Sequence, residues 1–142
     1  MIIRKATSAD IPKIISLWKK SDLPMRSHGR DHPTNLAQQL KEANMWILLA
    51  EEENDLLGVV LVTHDSRKGW INRLAVAPSA RRKGIATKLL HVAEESLDDV
   101  GIEVYAALIK QENAASRVLF KKCGYSYKEQ VTYYSRKKSP EA

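Results

Sequence analysis

The feature that most constrains the fold is a strand–helix–strand pattern in the second half of the chain. Residues 70–76 are predicted to form a strand, closed by Ala77 and Pro78. Gly101 ends the helical pattern that follows, and residues 104–108 are again typical of a strand. Such a β-α-β unit predicts two strands of one sheet with the helix packed on its face. The apolar face of the helix recurs at Ile85, Leu89, Val92, Ala93, Leu97 and Val100.

The segments before and after this unit extend it into a full domain. A hairpin meander that feeds a β-α-β unit predicts an α/β (α+β) fold. Its sheet is mixed, with about six to seven strands flanked by about four helices. The other strands are predicted at residues 2–5, 46–50, 57–62 and 131–135, and the other helices at 7–20, 35–43 and 113–123.

The chain is predicted to be one domain. It has no repeat, low-complexity tract or Gly/Ser linker, so we expect a single domain at residues 1–136 and a frayed tail at 137–142. No apolar run approaches the roughly 20 residues that cross a bilayer, and the N-terminus does not resemble a signal peptide. The lone Cys123 excludes an internal disulfide and a multi-cysteine zinc site. We therefore expect a cytoplasmic protein with no membrane partner.

The positive charge of the chain is concentrated in one segment. The formal net charge is +6, but residues 66–93 contain seven cations and no carboxylate, which leaves −1 for the other residues. A nearly neutral protein with one cationic segment favours a local anionic ligand over a generally basic surface. The cations are Arg67, Lys68, Arg73, Arg81, Arg82, Lys83 and Lys88.

The core of this cationic segment stands at the predicted start of the long helix. Gly84 permits backbone conformations that a side chain would resist, and Ala86 keeps the first turn slim. The first amides of a helix lack intrahelical partners and can point at an anion, which favours a pyrophosphate here. The patterns GxxxxGK[ST] and GxGxxG are absent, which argues against an NTPase or a nicotinamide enzyme.

Two motifs together resemble the GNAT N-acetyltransferase family. The family signature Arg/Gln-x-x-Gly-x-Gly/Ala matches Arg81, Gly84 and Ala86. The family pattern Asn-x-x-Ala-x-x-Leu-Tyr-x-Lys-x-Gly-Phe/Tyr has a close counterpart in residues 113–125. With the strands and helices expected between them, the resemblance covers nearly the whole chain. It implies that the fourth and fifth strands splay apart and hold acetyl-CoA, the co-substrate, between them.

The resemblance also implies which residues hold this cofactor. The fourth strand offers backbone groups to the pantetheine arm, the loop before the long helix holds the pyrophosphate, and the last helix flanks the arm. Asn113 in addition has the side chain of a good helix N-cap. The implied cofactor residues are Leu74, Ala75, Val76, Arg81, Arg82, Lys83, Gly84, Ile85, Ala86, Thr87, Asn113, Ser116 and Phe120.

The catalytic groups depart from the family pattern. The family's usual general-acid tyrosine aligns with Phe120, which has no hydroxyl, and the fourth strand lacks the glutamate often used as a base. The remaining candidates for proton transfer are Tyr125, Tyr133 and Asn72, with water as another carrier. In the family, the first interhelical loop borders the acceptor, which makes Trp18, His28 and Arg30 candidate substrate contacts. No metal is expected, because His28 and His32 have no further ligands placed to complete a shell.

The reading favoured by these observations is an enzyme that transfers an acetyl group from acetyl-CoA to a primary amine by direct attack in a ternary complex. The amine could belong to a small molecule, a peptide or a protein, and a homodimer is expected from the family. One alternative is an acyl-CoA-binding module with little or no turnover. A weaker one is a nucleic-acid-binding protein that uses residues 66–93, although no helix-turn-helix pattern or aromatic stacking platform accompanies them.

Overall fold

The computed structural model describes residues 1–142 as a five-stranded sheet with four α-helices and two single turns of 3₁₀ helix. The sheet order follows the chain, β1 to β5, so each strand lies beside its neighbour in sequence. No helix combines the length and the apolar character that crossing a membrane requires. The strands are β1 (Ile2–Lys5), β2 (Met45–Glu52), β3 (Asp55–His64), β4 (Gly69–Val76) and β5 (Tyr105–Ala106). The helices are α1 (Ile11–Lys20), α2 (Pro33–Gln39), α3 (Ile85–Asp98) and α4 (Ala114–Lys122), and the 3₁₀ turns are Ser8–Asp10 and Pro78–Ala80.

Strands β4 and β5 form the only parallel pair and separate early. β1 to β4 are antiparallel, whereas β5 pairs with β4 only at Gly69 with Tyr105 and at Trp70 with Ala106. Beyond Trp70, β4 continues to Val76 without a strand partner on that side. The mixed sheet and the expected opening between the fourth and fifth strands are therefore present.

A β-bulge interrupts β4 before this open edge. Arg73 and Leu74 together lie opposite one residue of β3, because Asn72 pairs with Leu61 and Ala75 pairs with Val59. Arg73 has a φ of 52°, a left-handed conformation that costs free energy for a residue with a side chain. The extra residue reverses the side-chain alternation of the strand. As a result, the side chains of β4 after Arg73 point to the opposite face of the sheet from the one that the alternation before Arg73 would give them.

The two faces of the sheet bury separate hydrophobic cores. Successive residues of β2 alternate between them, which follows from the two-residue period of a strand. Each fully buried leucine or isoleucine contributes about 1.5–3 kcal/mol. On one face α3 packs on Trp46, Leu48, Ala50, Val60, Val62 and Ile71. On the other, α1 and α2 pack on Ile47, Leu49, Val59 and Ala75.

Several predicted boundaries need correction. The second helix spans Pro33–Gln39 rather than 35–43, because the His32 side chain accepts a hydrogen bond from the Thr34 amide (3.2 Å) and proline occupies the first helical position. The strand predicted at 104–108 is only two residues long.

The strand predicted at 131–135 is absent, so the sheet has five strands instead of six to seven. Tyr133 and Tyr134 are 70% and 89% exposed, and no sheet edge pairs with this segment. A strand needs a partner for its backbone groups, and the β propensity of its residues does not replace one. The last two residues of the chain lie beside the loop between α1 and α2, where the Glu141 carbonyl packs against Gly29.

Candidate active site

The loop before α3 presents a row of free backbone amides. Gly84 has φ 76° and ψ 12°, and Arg82 is also left-handed at φ 64°. The first amide of this region to donate to a backbone carbonyl is that of Lys88, which bonds Gly84 at 3.1 Å. The amides of residues 82–87 therefore have no acceptor within the chain. A side chain added at Gly84 would meet no atom within 4 Å, so the loop opens to solvent on that side.

The charge at this loop is positive. The side chains of Arg81, Arg82 and Lys83 are exposed, and the Arg81 Nε lies 3.4 Å from the Val76 carbonyl, which ties the loop to the end of β4. Exposed cations next to free amides suit a compact anion such as a pyrophosphate.

A pocket lies between this loop and the hairpin that joins β2 to β3, and two lysines line it. It has a volume of about 260 Å³. Lys83 and Lys88 line it together with Glu52, Glu53 and Asp55 of the hairpin between β2 and β3. The carboxylates therefore lie beside the lysines on one side of α3, while the free amides belong to the loop itself.

The open edge of β4 continues from this loop toward the bulge. Leu74 and Val76 are half-buried on the part of β4 that β5 does not cover. Ala75 is buried in the core under α1. An uncovered strand edge offers backbone donors and acceptors to an extended ligand.

Helix α4 stands after β5 and is capped by the first residue of the predicted motif. The Asn113 Oδ1 accepts a hydrogen bond from the Ser116 amide at 3.1 Å, which confirms Asn113 as the N-cap. Ser116 is half-buried in the first turn, and Phe120 is buried in the core under α3. The Phe120 ring meets that of Tyr125 edge-to-face at 4.9 Å.

The structure places the three proton-transfer candidates in different surroundings. Tyr125 donates a hydrogen bond to the Glu94 carboxylate (2.6 Å), and burial together with this bond raises the pKa of its hydroxyl well above the ordinary value. Asn72 is half-buried on β4, next to the bulge. Tyr133 is exposed in the segment after α4.

A cluster centred on Arg73 joins β4 to the loop between α1 and α2. Its guanidinium donates to Asp31 (2.6 Å) and to the Pro24 carbonyl (2.8 Å), and it lies 4.8 Å from the Trp18 ring centre. Asp31 is buried and also accepts a hydrogen bond from the Arg26 amide at 2.7 Å. Burial lowers the pKa of Arg73, Asp31 opposes this effect, and the neighbouring Arg30 and Arg26 add to it. The cluster fixes the loop above the bulged strand.

Sequence reasoning singled out Trp18 and Arg30 but missed the Arg73–Asp31 pair. Trp18 is fully buried beneath Arg73, whereas His28 and Arg30 are exposed on the same loop. The sequence signal for this pair was an arginine inside an otherwise apolar strand, which rarely occurs without a buried partner.

Comparison with known proteins agrees with this geometry. The sequence model described as "Acetyltransferase (GNAT) family" matches residues 11–125. An acetyltransferase of Photorhabdus laumondii is 26% identical over 138 residues, covering 96% of this chain and 95% of the relative.

Two solved structures illustrate the shared fold. The aminoglycoside 6′-N-acetyltransferase AAC(6′)-IG of Acinetobacter haemolyticus has a TM-score of 0.80 at 23% identity, covering 96% of this chain and 99% of the other. The PaiA N-acetyltransferase of Thermoplasma acidophilum, solved with coenzyme A, has a TM-score of 0.80 at 18% identity over 92% of each chain. The match to the family model over most of the chain, together with the shared fold, shows that this chain belongs to the GNAT acetyltransferase family.

Proposed function

We propose that the protein transfers the acetyl group of acetyl-CoA to a primary amine by direct attack within a ternary complex. The observation that carries this proposal is the row of free amides at residues 82–87, next to the uncovered edge of β4. Together they form a continuous path for a ligand that has a pyrophosphate at one end and an extended amide-containing arm at the other. Acetyl-CoA supplies a thioester whose carbonyl is open to attack by an amine.

The residues of the site fit this cofactor. The amides of residues 82–87 would bind the pyrophosphate, assisted by Arg81, Arg82 and Lys83. The backbone of residues 74–76 would bind the arm, and Ser116 in the first turn of α4 would flank it. Asn113 already caps α4, so its amide nitrogen is the part that remains to meet the cofactor. No group of three or more metal-ligating side chains is assembled in the chain.

Few side chains in this chain are candidates to accept the proton of the amine or to protonate the departing sulfur. β4 has no carboxylate, and the residue at the family's tyrosine position is the buried Phe120. Tyr125 is the candidate donor because its ring contacts Phe120, the residue at the family's tyrosine position. The raised pKa of its hydroxyl makes it a weaker acid than an ordinary tyrosine while that hydroxyl stays bonded to Glu94. Its hydroxyl would have to exchange the Glu94 carboxylate for the departing sulfur. Fixing the amine and the thioester side by side lowers the barrier without any proton donor.

The acceptor would bind where the loop between α1 and α2 faces the bulge in β4. Trp18, His28 and Arg30 are on or beside this loop, and Arg73 anchors it. The solved relatives include aminoglycoside acetyltransferases and a ribosomal-protein-alanine N-acetyltransferase of Brucella melitensis, so the shared fold accommodates both small and peptide amines.

We expect calorimetry to detect acetyl-CoA binding by the wild type and little or none by Gly84→Asp. Aspartate there introduces a negative charge beside the free amides and strains a left-handed residue, and the open space around Gly84 leaves the core untouched. Ser79→Asp, exposed on the preceding 3₁₀ turn, is the control for added charge. Equal binding by wild type and Gly84→Asp would refute this cofactor site.

A second candidate is the acyl-CoA-binding module, favoured by the buried Phe120 in place of a hydroxyl. Acetyl-CoA binding without release of free coenzyme A across a broad panel of amines would support it over the transferase.

We also propose a homodimer. Val131, Tyr133 and Tyr134 are exposed apolar or aromatic residues in a segment with strand-forming sequence and no partner in the chain. Light scattering at micromolar concentration should give twice the 16.0 kDa chain mass, and a single chain mass would refute the dimer.

A further inference from the structure

We infer that the acceptor amine also carries an anionic group, a carboxylate or a phosphate, which binds among Arg26, Arg30 and Arg73 at the loop between α1 and α2. This inference rests on the proposed transfer to an amine and names the class of amine. It is carried by two arginines without ion-pair partners beside the Arg73–Asp31 pair and by unpaired buried donors at the end of α1.

Arg26 and Arg30 make no ion pair with any carboxylate of the chain. Asp31 is the only carboxylate that pairs with a cation there, and it is committed to Arg73. The chain has two other ion pairs, both made by Arg4, so no carboxylate lies within ion-pairing distance of Arg26 or Arg30. Both arginines lie next to the Arg73–Asp31 pair, because the Arg26 amide donates to Asp31 at 2.7 Å and Arg30 directly precedes Asp31 in the chain. Both also contribute to the downward shift in the pKa of Arg73. An anion would stabilise these neighbouring like charges.

Two buried donors near the C-terminal end of α1 have no acceptor. The Trp18 Nε1 and the Ser21 Oγ are the only buried side-chain polar atoms in the chain that lack a hydrogen-bond partner. Both belong to the end of α1, where the loop begins, and the Trp18 ring lies beneath the Arg73 guanidinium. A buried donor left unpaired is unfavourable, so this end of the loop suits a ligand that brings acceptor oxygens.

The position suits a substrate group close to the reacting amine. Arg73 is the residue before Leu74, where the open edge of β4 would bind the cofactor arm. Guanidinium groups bind carboxylates and phosphates with paired hydrogen bonds and repel a second cation. A polycationic amine is therefore disfavoured, although several of the solved relatives act on aminoglycosides.

Matched pairs of amines test this inference. Release of free coenzyme A should be measured with O-phosphoethanolamine against ethanolamine, and with β-alanine against β-alaninamide, at saturating acetyl-CoA. We expect kcat/KM to be about tenfold or more higher for the anionic member of a pair, because a charge-assisted hydrogen bond contributes that much. Arg30→Gln should reduce this preference, Arg30→Lys should keep most of it, and Arg67→Gln, an exposed arginine on the turn between β3 and β4, should leave it unchanged.

The outcomes separate this inference from the proposed function. Turnover with equal or greater kcat/KM for the uncharged amines, or for the polycation sisomicin, would overturn the anion site while the transferase stands. If no amine is turned over, calorimetry of O-phosphoethanolamine with Gly84→Asp decides, because that variant lacks the other anion site. If the Gly84→Asp protein binds O-phosphoethanolamine and adding Arg30→Gln abolishes this binding, the anion site is supported without the transferase. If the Gly84→Asp protein does not bind O-phosphoethanolamine, the anion site is refuted.

Discussion

The chemistry of the proposed site depends on single residues. Gly84 contributes through its backbone, whereas Tyr125 contributes through its side chain. Gly84 contributes nothing but a left-handed backbone, and that conformation turns a run of amides outward. Tyr125 contributes a hydroxyl that is partly buried and hydrogen-bonded to a carboxylate, and its pKa is raised. In the proposed site the first would serve cofactor binding, and the second is a candidate for proton transfer.

Tyr125→Phe tests the second. If Tyr125 protonates the departing thiolate, we expect kcat to fall about 100-fold with acetyl-CoA affinity unchanged, since a positioned general acid contributes that much. Tyr127→Phe, an exposed neighbour, is the control, and steady-state release of coenzyme A is the measurement. A loss of kcat below threefold would assign the proton to water. A parallel loss of affinity would assign the Tyr125 hydroxyl to holding the site in shape through its hydrogen bond to Glu94.

At the level of elements, one arginine joins the first two strands to the start of the first helix. Arg4 on β1 donates two hydrogen bonds to Asp10 (both 2.8 Å) and one to Glu51 on β2 (2.6 Å), and Asp10 also accepts from the Thr7 amide. Chiefly through the Arg4 hydrogen bonds, the pKa of Asp10 is lowered to about 2. A carboxyl whose pKa is lower in the folded protein stabilises the fold at pH values above its unfolded pKa. That stabilisation is lost as the pH falls through the folded value.

Asp10→Asn should therefore lower the free energy of unfolding by about 2 kcal/mol at pH 7. The gap between wild type and variant should narrow as the pH falls from about 4 to about 2, where the wild-type carboxyl becomes protonated. Urea denaturation at pH 7 and pH 3 measures both values. Asp22→Asn, an exposed carboxylate without an ion pair, should show neither effect. A pH-independent deficit in Asp10→Asn would show that packing, not charge, holds α1.

For the molecule as a whole, the proposed cofactor would touch three elements that are separate in the chain. The free amides precede α3, the open edge belongs to β4, and Ser116 belongs to α4. A ligand that bridges three elements in the folded chain and none in the unfolded chain stabilises the whole fold.

We accordingly expect acetyl-CoA at 100 times its Kd to add about 2.7 kcal/mol of stability, which raises Tm by roughly 8 °C. Differential scanning fluorimetry measures this shift. The comparison with Gly84→Asp, which should show no shift, separates specific binding from a general effect of an anion. An equal shift in both proteins would place the ligand elsewhere.

The parts of this structure that sequence could predict are those set by local pattern. The bounds of β4 and α3 follow from residue spacing and from Gly84 and Gly101, and Asn113 caps α4 as its side chain predicts. The Arg73–Asp31 pair joins residues 42 positions apart, and no local pattern specifies such a meeting. The strand predicted at 131–135 is wrong because β propensity is a local property, whereas a strand also needs another strand positioned beside it.

The bulge in β4 has a consequence for insertions and deletions. Without Arg73, Leu74 would come to lie opposite Val60, and the ladder between β3 and β4 would run without interruption from Gly69 to Val76. The sheet can therefore absorb the loss of one residue, whereas the loop between α1 and α2 would lose its only charged tether to the strand. A one-residue deletion would thus release the proposed acceptor side while leaving the proposed cofactor path intact. Length variation at this position offers a family built on this sheet a simple way to exchange one acceptor loop for another.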